Sequence, residues 1–222
     1  AREVVLFADT FNRYFERENL DDALSVLVAA GYRVYAPLPA DLNERPLCCG
    51  RTFLAVGLVE EARREMQRTL DALAPYVRRG VPVIGLEPSC LFTFRDELPA
   101  MFKSEVAELL AANARLFEEF IAHEHKQGQL NLPLGPLPKK ALLHGHCHQK
   151  ALWGVDTSAK ILRRLFGSRL TVLDSGCCGM AGTFGMKKGT YDLSMLTGAP
   201  LFERVATIDP DMPVIDSIVL RN

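Results

Sequence analysis

The chain has 222 residues, of which 48% are hydrophobic, 24% charged and 8% aromatic, and its formal net charge is -1. That composition can bury a sizeable core in one or two domains and supplies no electrostatic footprint for nucleic acid or an anionic membrane surface, so no nucleic-acid partner is expected. No apolar run approaches the roughly 20 residues of a membrane span. The amino end, residues 1–8, enters directly into a strand-like run, so no secretory signal is expected and the setting reads as cytoplasmic, with reduced cysteines.

Residues 4–8 form a short apolar run that ends at Asp9 and reads as a strand. Residues 20–30 have helical spacing and stop at Gly31, a residue suited to helix termini; 32–36 read as a second strand. A proline-rich loop over 37–46 then delivers the chain to Cys48-Cys49-Gly50. From 51 to 79 the apolar members Leu54, Val56, Leu58, Ala62, Met66, Leu70, Leu73 and Val77 predict one long amphipathic helix. Gly80 ends it, and a strand over 81–86 leads to Glu87-Pro88-Ser89-Cys90. A helix is predicted over 101–125, and 127–138, rich in proline and glycine, reads as a linker.

The pattern then restarts. A strand at 141–143 leads into His144-Gly145-His146-Cys147-His148, a helix follows over 158–166, and a strand at 170–173 leads to Cys177-Cys178-Gly179. A helix alternating with each strand argues for parallel sheets with right-handed crossovers. The expected fold is α/β: two similar Rossmann-like lobes with mostly parallel sheets, related by an internal repeat, the first over 1–130 and the second over 131–222.

All six cysteines belong to this pattern, with none left over. Adjacent cysteines do not easily bridge to each other, yet both thiolates can reach one metal centre, and the following glycine lets the backbone turn sharply beneath it. Cys48, Cys49, Cys90, Cys147, Cys177 and Cys178 therefore read as metal or cluster ligands. Scattered core cysteines would not fall into two similar sets, and a chain of this length with a large apolar fraction does not need three disulfide staples.

Laying the second half on the first shows what each lacks. Residues 81–84 correspond to 212–215, which puts Arg221 opposite Cys90, while Thr10 or Phe11 stands opposite Cys147. Each lobe thus has three thiolates and an unfilled position. That pattern is compatible with an open site, a ligand from the other lobe or a ligand beyond Asn222.

The order of a cysteine, a Cys-Cys-Gly triplet and another cysteine, given twice, resembles the cysteine-rich (CCG) domain family. That family includes a subunit of heterodisulfide reductase, the iron-sulfur subunits of glycolate oxidase and anaerobic glycerol-3-phosphate dehydrogenase, and a lactate-utilisation protein. The runs 143–152 and 177–185 look most like the carboxyl-terminal region of bacterial FAD-linked oxidases. The resemblance covers nearly the whole chain. It implies an iron-sulfur electron-transfer module, of 4Fe-4S type, for a flavin-dependent oxidation of a small 2-hydroxy acid such as glycolate or lactate, with the six cysteines as cluster ligands. It also implies two partners, a flavin-containing (FAD) domain or subunit and a ferredoxin-like iron-sulfur segment. Neither flavin-binding nor ferredoxin-type motifs occur in these residues. The missing cysteines near Thr10 and Arg221 are departures from the fuller pattern.

His144, His146 and His148 alternate around Cys147 and, on an extended segment, would project to one side with Cys147 on the other. Their roles divide between the site, by hydrogen bonding to sulfur or binding a substrate anion, and packing or surface duty; Lys150 stands with them. Gly182 and Gly185 are expected to let the backbone pass close to the site as the next helix begins, its amino terminus favouring the Cys178 thiolate. His123 and His125 lie on a polar helix end. A zinc-bound structural or docking domain without redox activity is the alternative reading of three thiolates per lobe, and thiol-disulfide chemistry on a substrate is a third.

Overall fold

Strand β1 (Arg2–Leu6) shows how the first sheet is built. Side chains on a strand alternate between faces, so Val4 and Leu6 enter one apolar cluster and Val5, with Phe7 just beyond, enters another. A strand buried on both faces needs helices above and below it. The computed structural model describes residues 2–41, 43–130, 140–181 and 184–208, with the backbone of Val214–Asp216, and divides the chain into two units, Ala1–Pro133 and Leu134–Asn222.

In the first unit β1 pairs in parallel with β2 (Tyr32–Tyr35) on one side and β3 (Val83–Gly85) on the other, and β3 pairs in parallel with β4 (Ala114–Leu116). The order is β2-β1-β3-β4. Helix α1 (Thr10–Tyr14) follows β1, and α2 (Arg17–Ala29) leads to Gly31, which takes the left-handed φ of 82° expected of a helix terminator. One face of the sheet is covered through Ala23, Leu27 and Phe120, and the other through Met66, Leu70, Leu73, Leu91, Phe92, Phe94 and Leu110.

Two expectations are corrected. The single helix predicted over 51–79 is two helices, α3 (Arg51–Leu54) and α4 (Val59–Val77). Gly57 between them has φ 79°, and the Leu58 N–H donates back to the Phe53 carbonyl, so Val56 and Leu58 are exposed rather than on the buried stripe. The helix predicted over 101–125 is likewise interrupted. After α5 (Pro88–Arg95) and α6 (Glu97–Met101), α7 (Glu105–Asn113) and α8 (Phe117–Lys126) flank β4. Pairing of Ala114 and Leu116 against Val83 and Gly85 outweighs the helical preference of that stretch.

The second unit has β5 (Ala141–His144) at the centre of an all-parallel sheet of order β6-β5-β7, with β6 (Leu170–Leu173) and β7 (Val214–Asp216). Helix α9 (Cys147–Leu152) follows β5 directly. Helix α10 (Asp156–Phe166) packs through Ala159 and Phe166 on Ala141 and Leu143, whereas α11 (Tyr191–Ala206) packs through Leu201 on Leu142 and Leu173. Both faces are again covered. The linker expected over 127–138, Gly182 and Arg221 fall wholly or partly outside the described residues.

Candidate metal centre

Chains that leave a parallel sheet from neighbouring strands in opposite directions open a crevice at the carboxyl ends of those strands. In the first unit this point lies between β1 and β3, whose following segments start with Asp9 and Glu87. Each carboxylate caps a helix: Asp9 accepts from the N–H groups of Phe11 and Asn12, both at 3.0 Å, and Glu87 accepts from the N–H of Cys90, with Pro88 opening α5. Asn12 Nδ2 also donates to Asp9 at 2.7 Å.

Cys48, Cys49 and Cys90 meet at this crevice. The thiols of Cys48 and Cys49 are in hydrogen-bond contact, as are those of Cys49 and Cys90, and the Thr10 hydroxyl lies against Cys48. Gly50 caps α3 with φ 83°; its N–H donates to Cys48 Sγ at 3.4 Å, and the Arg51 N–H donates to Cys49 Sγ at 3.5 Å. Thr69 of α4 donates to the Cys48 carbonyl at 2.7 Å. Cys49 and Cys90 are buried; Cys48 is partly exposed.

The electrostatics of this group oppose thiolate formation. The Cys49 contact and burial push the Cys48 thiol up. Cys49 gains from the Cys48 hydrogen bond, but Cys90 and burial together raise it well above the ordinary thiol range. Cys90 is helped by Cys49 and raised on balance by burial and by the charges of Glu87 and Asp9. Burial lifts Glu87 to about 7, against the opposing Cys90 N–H bond and with help from Asp9; Asp9 is raised chiefly by burial. Three thiols and two carboxylates packed together are short of positive charge.

In the second unit Cys147, at the start of α9, lies against Cys177, and Cys178 is near enough for its charge to act on the Cys147 thiol; both follow β6. Burial first, then Cys177, raises the Cys147 thiol. The Gly179 N–H donates to Cys177 Sγ at 3.3 Å, the counterpart of the Gly50 bond, and Ser194 of α11 donates to the Gly179 carbonyl at 2.8 Å. Two side chains weighed for the site hold the loop before the triplet: Lys150 Nζ donates to the Ser175 and Gly176 carbonyls, and His144 Nε2 lies 3.2 Å from the Gly176 carbonyl. The Ser175 hydroxyl is buried without a hydrogen-bond partner among the described residues.

The histidine expectation is corrected here, because Cys147 begins a helix and the segment is not extended. His144 is buried on β5, and its ring addresses Gly176; His146 and His148 are half-buried with ring centroids 6.4 Å apart. The helix expected just after the second triplet is also later than predicted. Among the described residues after the triplet, a 3-10 turn at Phe184–Met186 comes first and α11 starts at Tyr191, so α11 does not directly follow Cys178. His123 and His125 lie exposed in the last turn of α8.

Among the described residues no three His, Cys, Asp or Glu side chains form a ready ligand set for one ion. The donor chemistry nevertheless fits a soft cationic centre: burial and close thiols raise Cys48, Cys49 and Cys90 in the first unit and Cys147 in the second, and a cation would supply the missing charge. No helix among the described residues is long and apolar enough to cross a membrane.

No family model and no solved structure matches the chain. Over 215 residues it is 33% identical to a subunit of the anaerobic glycerol-3-phosphate dehydrogenase of Escherichia coli, covering 96% of this chain and 52% of the relative. The chain thus spans about half the length of that relative. It is 24% identical over 196 residues to D-2-hydroxyglutarate dehydrogenase of Pantoea ananatis, covering 88% of this chain and 18% of the relative. It is 30% identical over 179 residues to lactate utilization protein A of Bacillus licheniformis, covering 76% of this chain and 69% of the relative. At that identity and coverage, the chain belongs to the family of lactate utilization protein A.

Proposed function

We propose that the chain is a cysteine-rich (CCG) electron-transfer module of a flavin-dependent oxidoreductase acting on a small 2-hydroxy acid. Its two lobes, 1–130 and 131–222, are copies of one plan. The observation that carries this reading is the gathering of Cys48, Cys49 and Cys90 in one unit and of Cys147, Cys177 and Cys178 in the other, each at the carboxyl end of a parallel sheet. The matching strand order and the matching glycine N–H to sulfur bonds support the repeat. Two of the three relatives carry the name of a dehydrogenase, and two are named for a hydroxy acid, hydroxyglutarate or lactate.

The six cysteines would hold iron-sulfur clusters of 4Fe-4S type, which accept and release electrons one at a time. The protein's part is to hold and shield. Burial of Cys49 and Cys90 keeps water from the deep side of the first site, while partly exposed Cys48, Cys147, Cys177 and Cys178 leave an open side for exchange with a partner. Removing two electrons from a hydroxy acid needs a two-electron acceptor, which an FAD-bearing domain or subunit would supply, with a ferredoxin-like segment passing electrons onward.

Anaerobic purification and reconstitution, followed by iron, sulfide and zinc analysis, tests the reading. Iron with sulfide and broad visible absorption is expected, and Cys177→Ser or Cys178→Ser should remove the second unit's share because a hydroxyl is a poor substitute for a soft thiolate. Zinc without iron would leave the structural-domain reading in its place. Unchanged metal in both serine variants would reject the ligand assignment.

A further inference from the structure

Helix α9 begins with Cys147, and three residues later Lys150 turns back to the loop that delivers Cys177 and Cys178. Its Nζ donates to the Ser175 carbonyl at 2.6 Å and to the Gly176 carbonyl at 3.3 Å. His144, the last residue of β5, brings Nε2 to 3.2 Å from the same Gly176 carbonyl; as that oxygen only accepts, Nε2 carries the proton. The Lys150 stem passes beside Gly145, where an added Cβ would lie 3.5 Å from Lys150 Cγ, an ordinary contact distance, and would overlap Val155.

We infer that Lys150 is a positioning residue for the second-unit centre: it sets the separation of Cys147 from the Cys177-Cys178 pair and raises the reduction potential there. This rests on the reading of these thiols as ligands of a redox centre. The mechanical part follows from chemistry. Loop 174–176 carries no apolar side chain to anchor it, and a charged donor shared by consecutive carbonyls is a strong local tie. The electrical part follows from charge. On taking up one electron the centre becomes one unit more negative, and a fixed ammonium one residue from the ligand loop stabilises that state over the oxidised one. Lys150 itself exchanges no proton or electron.

The experiment compares the full chain with Lys150→Met, Lys150→Gln and Lys150→Arg, each first checked for folding by its thermal melt. In metal-free protein a short bifunctional thiol reagent, with peptide mapping, reads Cys147–Cys177 proximity. Bridging should fall at least about tenfold in Lys150→Met, which loses both charge-assisted hydrogen bonds, and persist in Lys150→Arg. In iron-loaded protein the midpoint potential should shift downward in Lys150→Met and in Lys150→Gln, which keeps a donor but no charge, and hold in Lys150→Arg. Equal bridging in wild type and Lys150→Met overturns the positioning role, and equal potentials overturn the electrical one. A wild-type chain that takes no iron overturns the parent reading and, with it, the electrical role, while the bridging result still decides the positioning role. If Lys150→Met does not fold, the Gln and Arg variants carry both comparisons.

Discussion

Gly31, Gly50 and Gly179 share nearly one left-handed φ, of 82°, 83° and 86°, yet they differ in what surrounds them. An added Cβ at Gly31 meets nothing within 4 Å; at Gly50 it would sit 2.9 Å from the Ala62 carbonyl oxygen and 3.0 Å from Met66 Cγ; at Gly179 it would overlap the Ser194 carbonyl. Gly31→Ala should therefore cost only the left-handed penalty of about 1–2 kcal/mol. Gly50→Ala should cost more, and Gly179→Ala should abolish the folded second unit. Thermal melts of the three variants check the order, and a Gly179→Ala protein as stable as Gly31→Ala would contradict the close approach of triplet and α11. The triplet glycines are legible as turns from the sequence, but their crowding is not, because the crowding atoms come from helices many residues later in the chain. Asp9 and Glu87 escape a sequence reading as members of the first site for the same reason. Nothing local says that the two capping carboxylates share one crevice.

At the scale of elements, the two broken helices show where periodicity misleads. Residues 101–125 keep helical spacing throughout, but Ser104 starts α7 by accepting from the Ala107 N–H at 3.3 Å, and three residues then leave the helix to become the edge strand β4. The cap and the core beneath it make separable contributions. Ser104→Ala should lower stability by about 1 kcal/mol and leave bound metal unchanged. Phe92→Ala in α5, whose ring is completely buried, should cost about 3–5 kcal/mol. Urea unfolding reads both, and a cap variant that costs as much as the core variant would mean that α7 does more than close the sheet. Helix α9 is a further case. The alternating histidines suggest extended chain, whereas the Lys150 N–H bond to the His146 carbonyl closes a helical turn that places Cys147 at its first position.

For the whole molecule, the division of labour is the main expectation. The chain offers thiols at two sheet ends, and its similarity to the glycerol-3-phosphate dehydrogenase polypeptide and to D-2-hydroxyglutarate dehydrogenase extends over 52% and 18% of those proteins. The 222-residue chain, even when iron-loaded, should leave an artificial dye unreduced with lactate or glycolate, and should pass electrons only when a flavin-bearing partner is present. Stopped-flow or steady-state dye reduction measures this directly. Substrate-dependent reduction by the flavin-free chain would assign the chemistry to the cysteine sites themselves.

Composition, the two Cys-Cys-Gly triplets and the strand-helix alternation were enough to specify an α/β chain with parallel strands and six chemically related cysteines. Those features depend on side-chain type and short-range periodicity, which the sequence states outright. Which thiols touch, which carboxylates face them, and where a helix yields to an edge strand were decided by tertiary structure alone. Cys49 meets Cys90, and Lys150 meets the 175–176 carbonyls, only because parallel pairing brings the carboxyl ends of separate strands side by side. That pairing depends on packing free energy between distant segments, for which no local pattern of residues is a sufficient signal.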